Sequence, residues 1–326
     1  MHSHGNEEHV RNKKPRKAYA PPAGWSAYNE WSTAELPRVL ELARRIVNDT
    51  DLRTRGPARG GPCFPVRDLI KSLLVKVLFR FSYRRAVSVI EAFQAALGIE
   101  RVPHFNTLIK WMGRAEVTAR IMTLLSAAAS MKEVEDSTLV IDATGFLRRQ
   151  GSPWTFVREK KRRFLRRGYR KAHLACSLPS RTIVAMEVTP GTVHDHERFG
   201  DLVKAASVQQ TFDTLLADRG YLSREACAAA KAAGATPYIP WKTNTKHRAR
   251  PRDDFEKMIA FGKHFHNRFF AKYRRRAEVE SVFSEIKRLV GSQLACRLLV
   301  AQRNELLLVG VLYNLRVISR AWVRVE

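Results

Sequence analysis

The chain has 326 residues, with 58 Lys and Arg against 31 Asp and Glu, a formal charge of +27 at pH 7. That balance asks for a polyanion as partner, and basic residues spread along the whole chain favour nucleic acid over a membrane surface. Hydrophobic residues make up 45%, which excludes a wholly disordered chain and allows one large domain or two modest ones.

Residues 1–35 are polar and basic, with Arg11 to Lys17 as a charge run and Trp25, Tyr28 and Trp31 as aromatic anchors, so a flexible tail is expected. The opening Met1-His-Ser-His-Gly-Asn6 has no apolar h-region, so no signal peptide is predicted and a cytoplasmic location follows. A short helix is predicted over Leu36–Asn48, then a Gly- and Pro-rich break from Gly56 to Pro65. Apolar spacing of three to four predicts helices over Asp68–Phe81, Arg84–Leu97, Asn106–Ala115 and Val117–Met131, the third capped by Asn106. With Lys110, Arg114 and Arg120 exposed, these helices read equally as a helix-turn-helix-like DNA reader or as a plain bundle.

The texture changes at 137. Thr138–Thr144 is an apolar, β-branched run that contains Asp142. Ala172–Leu178 and Thr182–Thr189 read as a hairpin around Pro179-Ser-Arg181. A helix over Glu197–Ala206 follows, then a strand Thr214–Ala217 ending at Asp218, a helix Ser223–Gly234 and a strand Thr236–Pro240. Beyond a basic loop, Lys242–Arg252, two helices lead into a further polar helix and an apolar one, Asn304–Val317. The longest apolar stretch, around Leu306–Tyr313, is far too short to cross a bilayer. The four cysteines form no CxxC pair and read as small residues in a reducing compartment.

Between the first two strands lies the densest charge, Arg158 to Lys171, with nine basic residues in fourteen. So many like charges repel unless a polyanion neutralises them, which singles out Arg162, Arg163, Arg166 and Arg167 for DNA contact, with Tyr169 placed to stack on a base. His194-Asp195-His196 could chelate a metal, but no Cys or His at useful spacing completes a set, so a polar strand-to-helix turn is expected.

Near the C-terminus, Tyr273, Arg276, Glu280 and Lys287 fall at offsets 0, 3, 7 and 14. At about 100° per residue they share roughly a 60° arc of a helix, while Val279, Val282, Phe283, Ile286 and Val290 cover the neighbouring arc and would seat it on a core. Glu278 and Glu285 point elsewhere. A phenol, a guanidinium, a carboxylate and an ammonium on one face suit a metal ion beside a nucleic-acid phosphate.

This spacing resembles the Y-(2)-R-(3)-E-(6)-K motif of IS4/IS5-type insertion-sequence transposases, of the DDE group. Ile141-Asp-Ala-Thr-Gly145 resembles the first-aspartate segment of that family, Ala217-Asp-Arg-Gly-Tyr221 its D-x-G-Y segment, and Arg101 to Leu108 the stretch that precedes its catalytic domain. The resemblance covers roughly residues 60–320. It implies a ribonuclease-H-like α/β domain, a mixed five-stranded sheet with helices on both faces, over 133–326. A helical domain over 59–132, read as DNA-binding or as a plain bundle, and a basic N-terminal region over 1–58 would precede it. It implies that Asp142, Asp218 and Glu280 are the catalytic triad and hold two Mg2+ ions, with Mn2+ as substitute. Tyr273, Arg276 and Lys287 would contact DNA phosphates, and His194 and Asp195 would stand beside the carboxylates. Double-stranded DNA is the expected substrate, cut and rejoined by a homodimer at the nucleoid with no membrane involved. The interval from Asp218 to Glu280 has no room for the large insertion that some relatives carry. A nuclease of the same fold without strand transfer, or an inactive DNA-binding copy, are the alternatives.

Overall fold

The computed structural model describes residues 24–52, 64–132, 135–148, 154–159, 162–243, 245, 248 and 250–321. Cys63 lies outside them, while Cys176, Cys227 and Cys296 are buried free thiols. The first helix, α1 (Gly24–Asp49), begins twelve residues before the predicted one and runs through Pro37. Its start was hidden by polar composition, yet Trp25, Tyr28 and Trp31 follow a three-residue helical spacing with ring centroids 5.9 and 5.8 Å apart. Tertiary packing carries the helix across the proline. Trp31 is buried, its Nε1 donates to Ser319 Oγ at 3.3 Å, and the Arg316 and Arg320 guanidinium groups lie over its ring.

Five helices follow: α2 (Val66–Leu78), α3 (Tyr83–Ala92), α4 (Gln94–Leu97), α5 (Phe105–Met112) and α6 (Ala115–Ser130). The expected single helix over Arg84–Leu97 is split at Phe93, and Gly98, at φ +54, ends the second piece in the left-handed region that glycine adopts without strain. The cap of α5 is also two residues earlier than expected: His104 Nδ1 accepts the Asn106 N–H at 3.3 Å.

The sheet strands are β1 (Thr138–Leu147), β4 (Tyr169–Leu178), β5 (Ile183–Pro190), β6 (Thr214–Ala217) and β7 (Thr236–Tyr238). Between the first two, β2 (Trp154–Glu159) and β3 (Arg162–Arg167) pair as a separate antiparallel ribbon. The five strands lie in the order β5-β4-β1-β6-β7. β5, β4 and β1 are antiparallel; β1, β6 and β7 are parallel. This is the mixed ribonuclease-H-like sheet that the strand sequence implied.

Helices cover both faces. A 3-10 turn (Asp195–Arg198) leads into α7 (Phe199–Gln209), and another (Arg219–Tyr221) precedes α8 (Arg224–Ala232). Then come α9 (Asp254–His264), α10 (His266–Tyr273), a 3-10 turn (Arg274–Ala277), α11 (Glu278–Val290) and α12 (Leu299–Ala321). Strand alternation assigns the faces: Leu139 and Ile141 pack with α7 to α10, whereas Val140 joins the core of α6, α11 and α12. That second core runs unbroken into α1 and α2. α12 approaches β5 closely, and a Cβ at Gly310 would stand 2.9 Å from Met186 Sδ. Among the described residues no helix is long and apolar enough to cross a membrane.

Candidate active site

Two strands bring the aspartates together. β1 and β6 are parallel, with Ile141 opposite Ala217, so Asp142 and Asp218 are the next residues on neighbouring strands. Asp142 follows Val140 by two and therefore points to the α11 side. Its side chain is only 13% exposed, and Oδ1 accepts the Ala143 N–H at 2.9 Å. Burial pushes its acidity value up, Arg276 pulls it down, and the negative charge of Asp218 pushes it up again. Asp218 itself is exposed where the strand ends, with Oδ1 accepting the Arg219 N–H at 2.7 Å.

The helical face reaches these acids across a break. Tyr273 closes α10, Arg276 sits in the 3-10 turn and Glu280 opens α11, so the four signature residues do not lie on one continuous α-helix as the wheel supposed. The α11 part of the wheel holds: Val279, Val282, Ile286 and Val290 are buried and Phe283 packs against the same core. Glu278 pairs with Arg275 and Arg181, and Glu285 with Arg320, both away from the site.

Arg276 is the centre of the cluster. Its Nη2 donates to Asp142 Oδ2 at 2.6 Å and its Nη1 to Glu280 Oε1 at 3.2 Å. Burial works against its charge, but Asp142, Tyr273, Asp218 and Glu280 together raise its affinity for the proton. Tyr273 is half-buried; burial raises its phenol value, Arg276 opposes, and the charges of Asp218, Asp142 and Glu280 add. Lys287 lies two turns beyond Glu280 with Nζ 5.8 Å from the Phe146 ring centre.

The other predicted residues divide. Asp195 Oδ1 accepts Lys171 Nζ at 2.9 Å and lies 3.8 Å from His173 Nδ1. His194 is exposed and spends itself as the cap of the 3-10 turn, its N–H donating to Glu197 Oε1 at 3.1 Å. Tyr169 is half-buried, and its ring fills the space over Gly145 and Gly191, where a Cβ on Gly191 would meet it at 2.7 Å. Arg162, Arg163, Arg166 and Arg167 all lie on β3 of the ribbon, a strand whose pattern charge obscures in the sequence.

Sequence reading missed three contributors. Lys171 and His173 come from β4, opposite Gly145 and Ala143 of β1, and two-residue alternation from a known partner strand was the available signal. The third is Tyr221, quoted within its motif without a role. Its hydroxyl is buried without a partner among the described residues, and burial, then the charges of Asp195, Asp142 and Asp218, raise its value well above that of a free phenol.

His173 supplies a pH test. It is fully buried, with Nε2 2.8 Å from Thr189 Oγ1, and burial lowers its value from 6.5 to about 4, with Asp195 opposing. The folded imidazole is therefore neutral where the unfolded one takes a proton. Its contribution is present above pH 6.5 and is lost as pH falls toward about 4, up to about 3 kcal/mol. Urea unfolding of His173→Gln is expected to show a flatter pH slope over that window; an unchanged slope would refute the assignment.

The donors near Asp142 are hard carboxylate oxygens, the chemistry that suits Mg2+ or Mn2+. Among the described residues no three acids, histidines or cysteines are gathered closely enough to share one ion, since the Arg276 guanidinium stands between Asp142 and Glu280. Asp142 within β1 and Asp218 just past the end of β6, with Glu280 across Arg276, are the groups that would hold a divalent cation.

Paired aspartates on this sheet are faced by a helical carboxylate and a guanidinium. The profile of the Transposase DDE domain matches residues 133–315, more than half of the chain, and the chain belongs to that family. Among solved structures, the cryo-EM structure of the piggyBac transposase synaptic complex with hairpin DNA is similar at a TM-score of 0.45 and 10% identity, over 89% of this chain and 76% of that one.

Proposed function

We propose that the chain is an IS4/IS5-type insertion-sequence transposase that cuts DNA at the element's ends and joins them to target DNA, using two divalent ions, Mg2+ or Mn2+. The observation that supports this most is the convergence of Asp142, Asp218 and Glu280 about Arg276. The ions supply Lewis-acid stabilisation of the charge on phosphorus and an acidified water. Asp142, Asp218 and Glu280 would hold the ions. In hydrolysis the water oxygen bonds to phosphorus and the 3′-oxygen leaves as a hydroxyl. In transfer that 3′-oxygen bonds to a target phosphorus and the target's own 3′-oxygen leaves. Tyr273, Arg276 and Lys287 bind the phosphates beside the cut. Arg162, Arg163, Arg166 and Arg167 follow the DNA backbone, a contact that is salt-dependent and largely blind to sequence, and Tyr169 stacks on a base. Asp195 orients Lys171 beside the site, and His194 fixes the turn that carries Asp195.

In this reading residues 133–326 are the catalytic domain, 59–132 a helical DNA-binding domain and 1–58 a basic arm. Two ends have to be held at once, so the working form is a homodimer on double-stranded DNA at the nucleoid.

The test is cleavage of duplexes carrying the element's flanking ends in Mg2+ or Mn2+, then transfer of a pre-cut end into plasmid DNA. Metal-dependent cutting followed by joining is expected. Cutting without joining would reduce the protein to a nuclease of this fold, and salt-sensitive binding without cutting would make it a DNA-binding protein.

A further inference from the structure

The cation found among these carboxylates is the protein's own. Arg276 takes one oxygen of Asp142 through Nη2 and one of Glu280 through Nη1, at 2.6 and 3.2 Å. Those oxygens are also ones that a divalent ion would need, and Mg2+ demands near-ideal placement at about 2.0–2.1 Å. A guanidinium keeps its charge at any working pH, so it cannot be titrated out of the way and must be moved.

Three features allow that movement. Arg276 lies in the 3-10 turn between α10 and α11, where the α-helical ladder is already interrupted. The turn itself is anchored by its neighbour, Arg275, which donates to Thr138 Oγ1 at 3.1 Å and to Glu278 Oε1 at 3.4 Å. The Arg276 side chain can therefore swing without carrying the turn along. Its Nε is buried with no partner among the described residues, so the fork still has a donor to give. A phosphate accepts such a fork bidentately.

We propose that Arg276 is an internal counter-ion that keeps divalent metal out of the DNA-free site, and that a DNA phosphate draws it off and opens Asp142 and Glu280 to the ion. This rests on the reading of Asp142, Asp218 and Glu280 as the metal-holding set. Metal and DNA are then positively coupled, and by linkage each tightens the other by the same factor. The consequence is order: the nucleolytic ion is loaded only where a phosphate is present.

The experiment is Mn2+ binding to the full chain by electron paramagnetic resonance, with and without a short blunt duplex, after subtracting the manganese that the duplex itself holds. Wild type alone is expected to bind Mn2+ about tenfold or more weakly than wild type with duplex, within the usual range of such couplings. Arg276→Gln, which keeps hydrogen-bonding capacity but not charge, is expected to bind tightly without DNA. Arg276→Lys, which keeps the charge, is expected to remain weak. Tight binding should vanish in Asp142→Asn. Equal Mn2+ affinity of wild type and Arg276→Gln without DNA, lost in Asp142→Asn, would overturn the gate and leave the metal site standing. Absence of any Asp142-dependent Mn2+ binding, with or without DNA, would overturn the metal-site reading itself.

Discussion

Asp142→Asn is expected to abolish end cleavage, lowering the single-turnover rate by about a thousandfold or more, while DNA binding is kept or tightened. The size follows from position. Asp142 is the most enclosed of the three acids and has Asp218 beside it and Arg276 upon it. If Asp142 holds the ions as proposed, its loss removes charge stabilisation in a low-dielectric site, where one such interaction is worth about 10²- to 10³-fold. Asn has the same shape and can still accept the Ala143 N–H, so β1 has no reason to move. Affinity for DNA should not fall, because a negative charge near the phosphates is removed. Gel-shift and melting measurements on the same preparation separate catalysis from folding. Near-normal cleavage by the variant would remove Asp142 from the reaction.

The second large effect is on stability. Asn314, fully buried on α12, grips the edge strand β5: its Oδ1 accepts the Ile183 N–H and its Nδ2 donates to the Ile183 carbonyl, both at 2.8 Å. Asn314→Leu keeps the branched shape, with somewhat more bulk, but leaves two buried backbone groups unpaired. At about 1–3 kcal/mol each, the expected loss is about 4 kcal/mol. Urea unfolding with an unchanged m value would measure it. A loss below about 1 kcal/mol would mean that water or a strand shift re-satisfies Ile183.

The sheet was legible because its signals are local. Apolar runs at Thr138–Thr144, Thr214–Ala217 and Thr236–Pro240, each bounded by turn residues, lie where β1, β6 and β7 form. The buried stripe Val279, Val282, Ile286 and Val290 was readable for the same reason, since helical period and core contact coincide there. Signals failed where tertiary contact overrides composition. α1 is held through Pro37 by Trp31 against Ser319, a contact between residues 288 positions apart that no window sees. The ribbon β2–β3 hides its pairing under charge. At the candidate site, spacing pointed to Tyr273, Arg276, Glu280 and Lys287, and the family resemblance added Asp142 and Asp218. The salt bridge that joins Asp142 to Arg276 is a three-dimensional fact, as are Lys171 and His173 entering from β4.

The position of α12 has a consequence for the life of the chain. This helix, made after every other described element, covers α1, α6 and β5 and pairs with α11 through Arg320 and Glu285 at 2.8 Å. During synthesis the apolar faces of Val39 to Val47 and of β5 therefore wait, uncovered, for residues 299–321. A ribosome-bound fragment that already contains Asp142, Asp218 and Glu280 therefore lacks the helix that closes the core shared by β1 and α11, and the elements that carry Asp142 and Glu280 are buttressed only once the last residues are made.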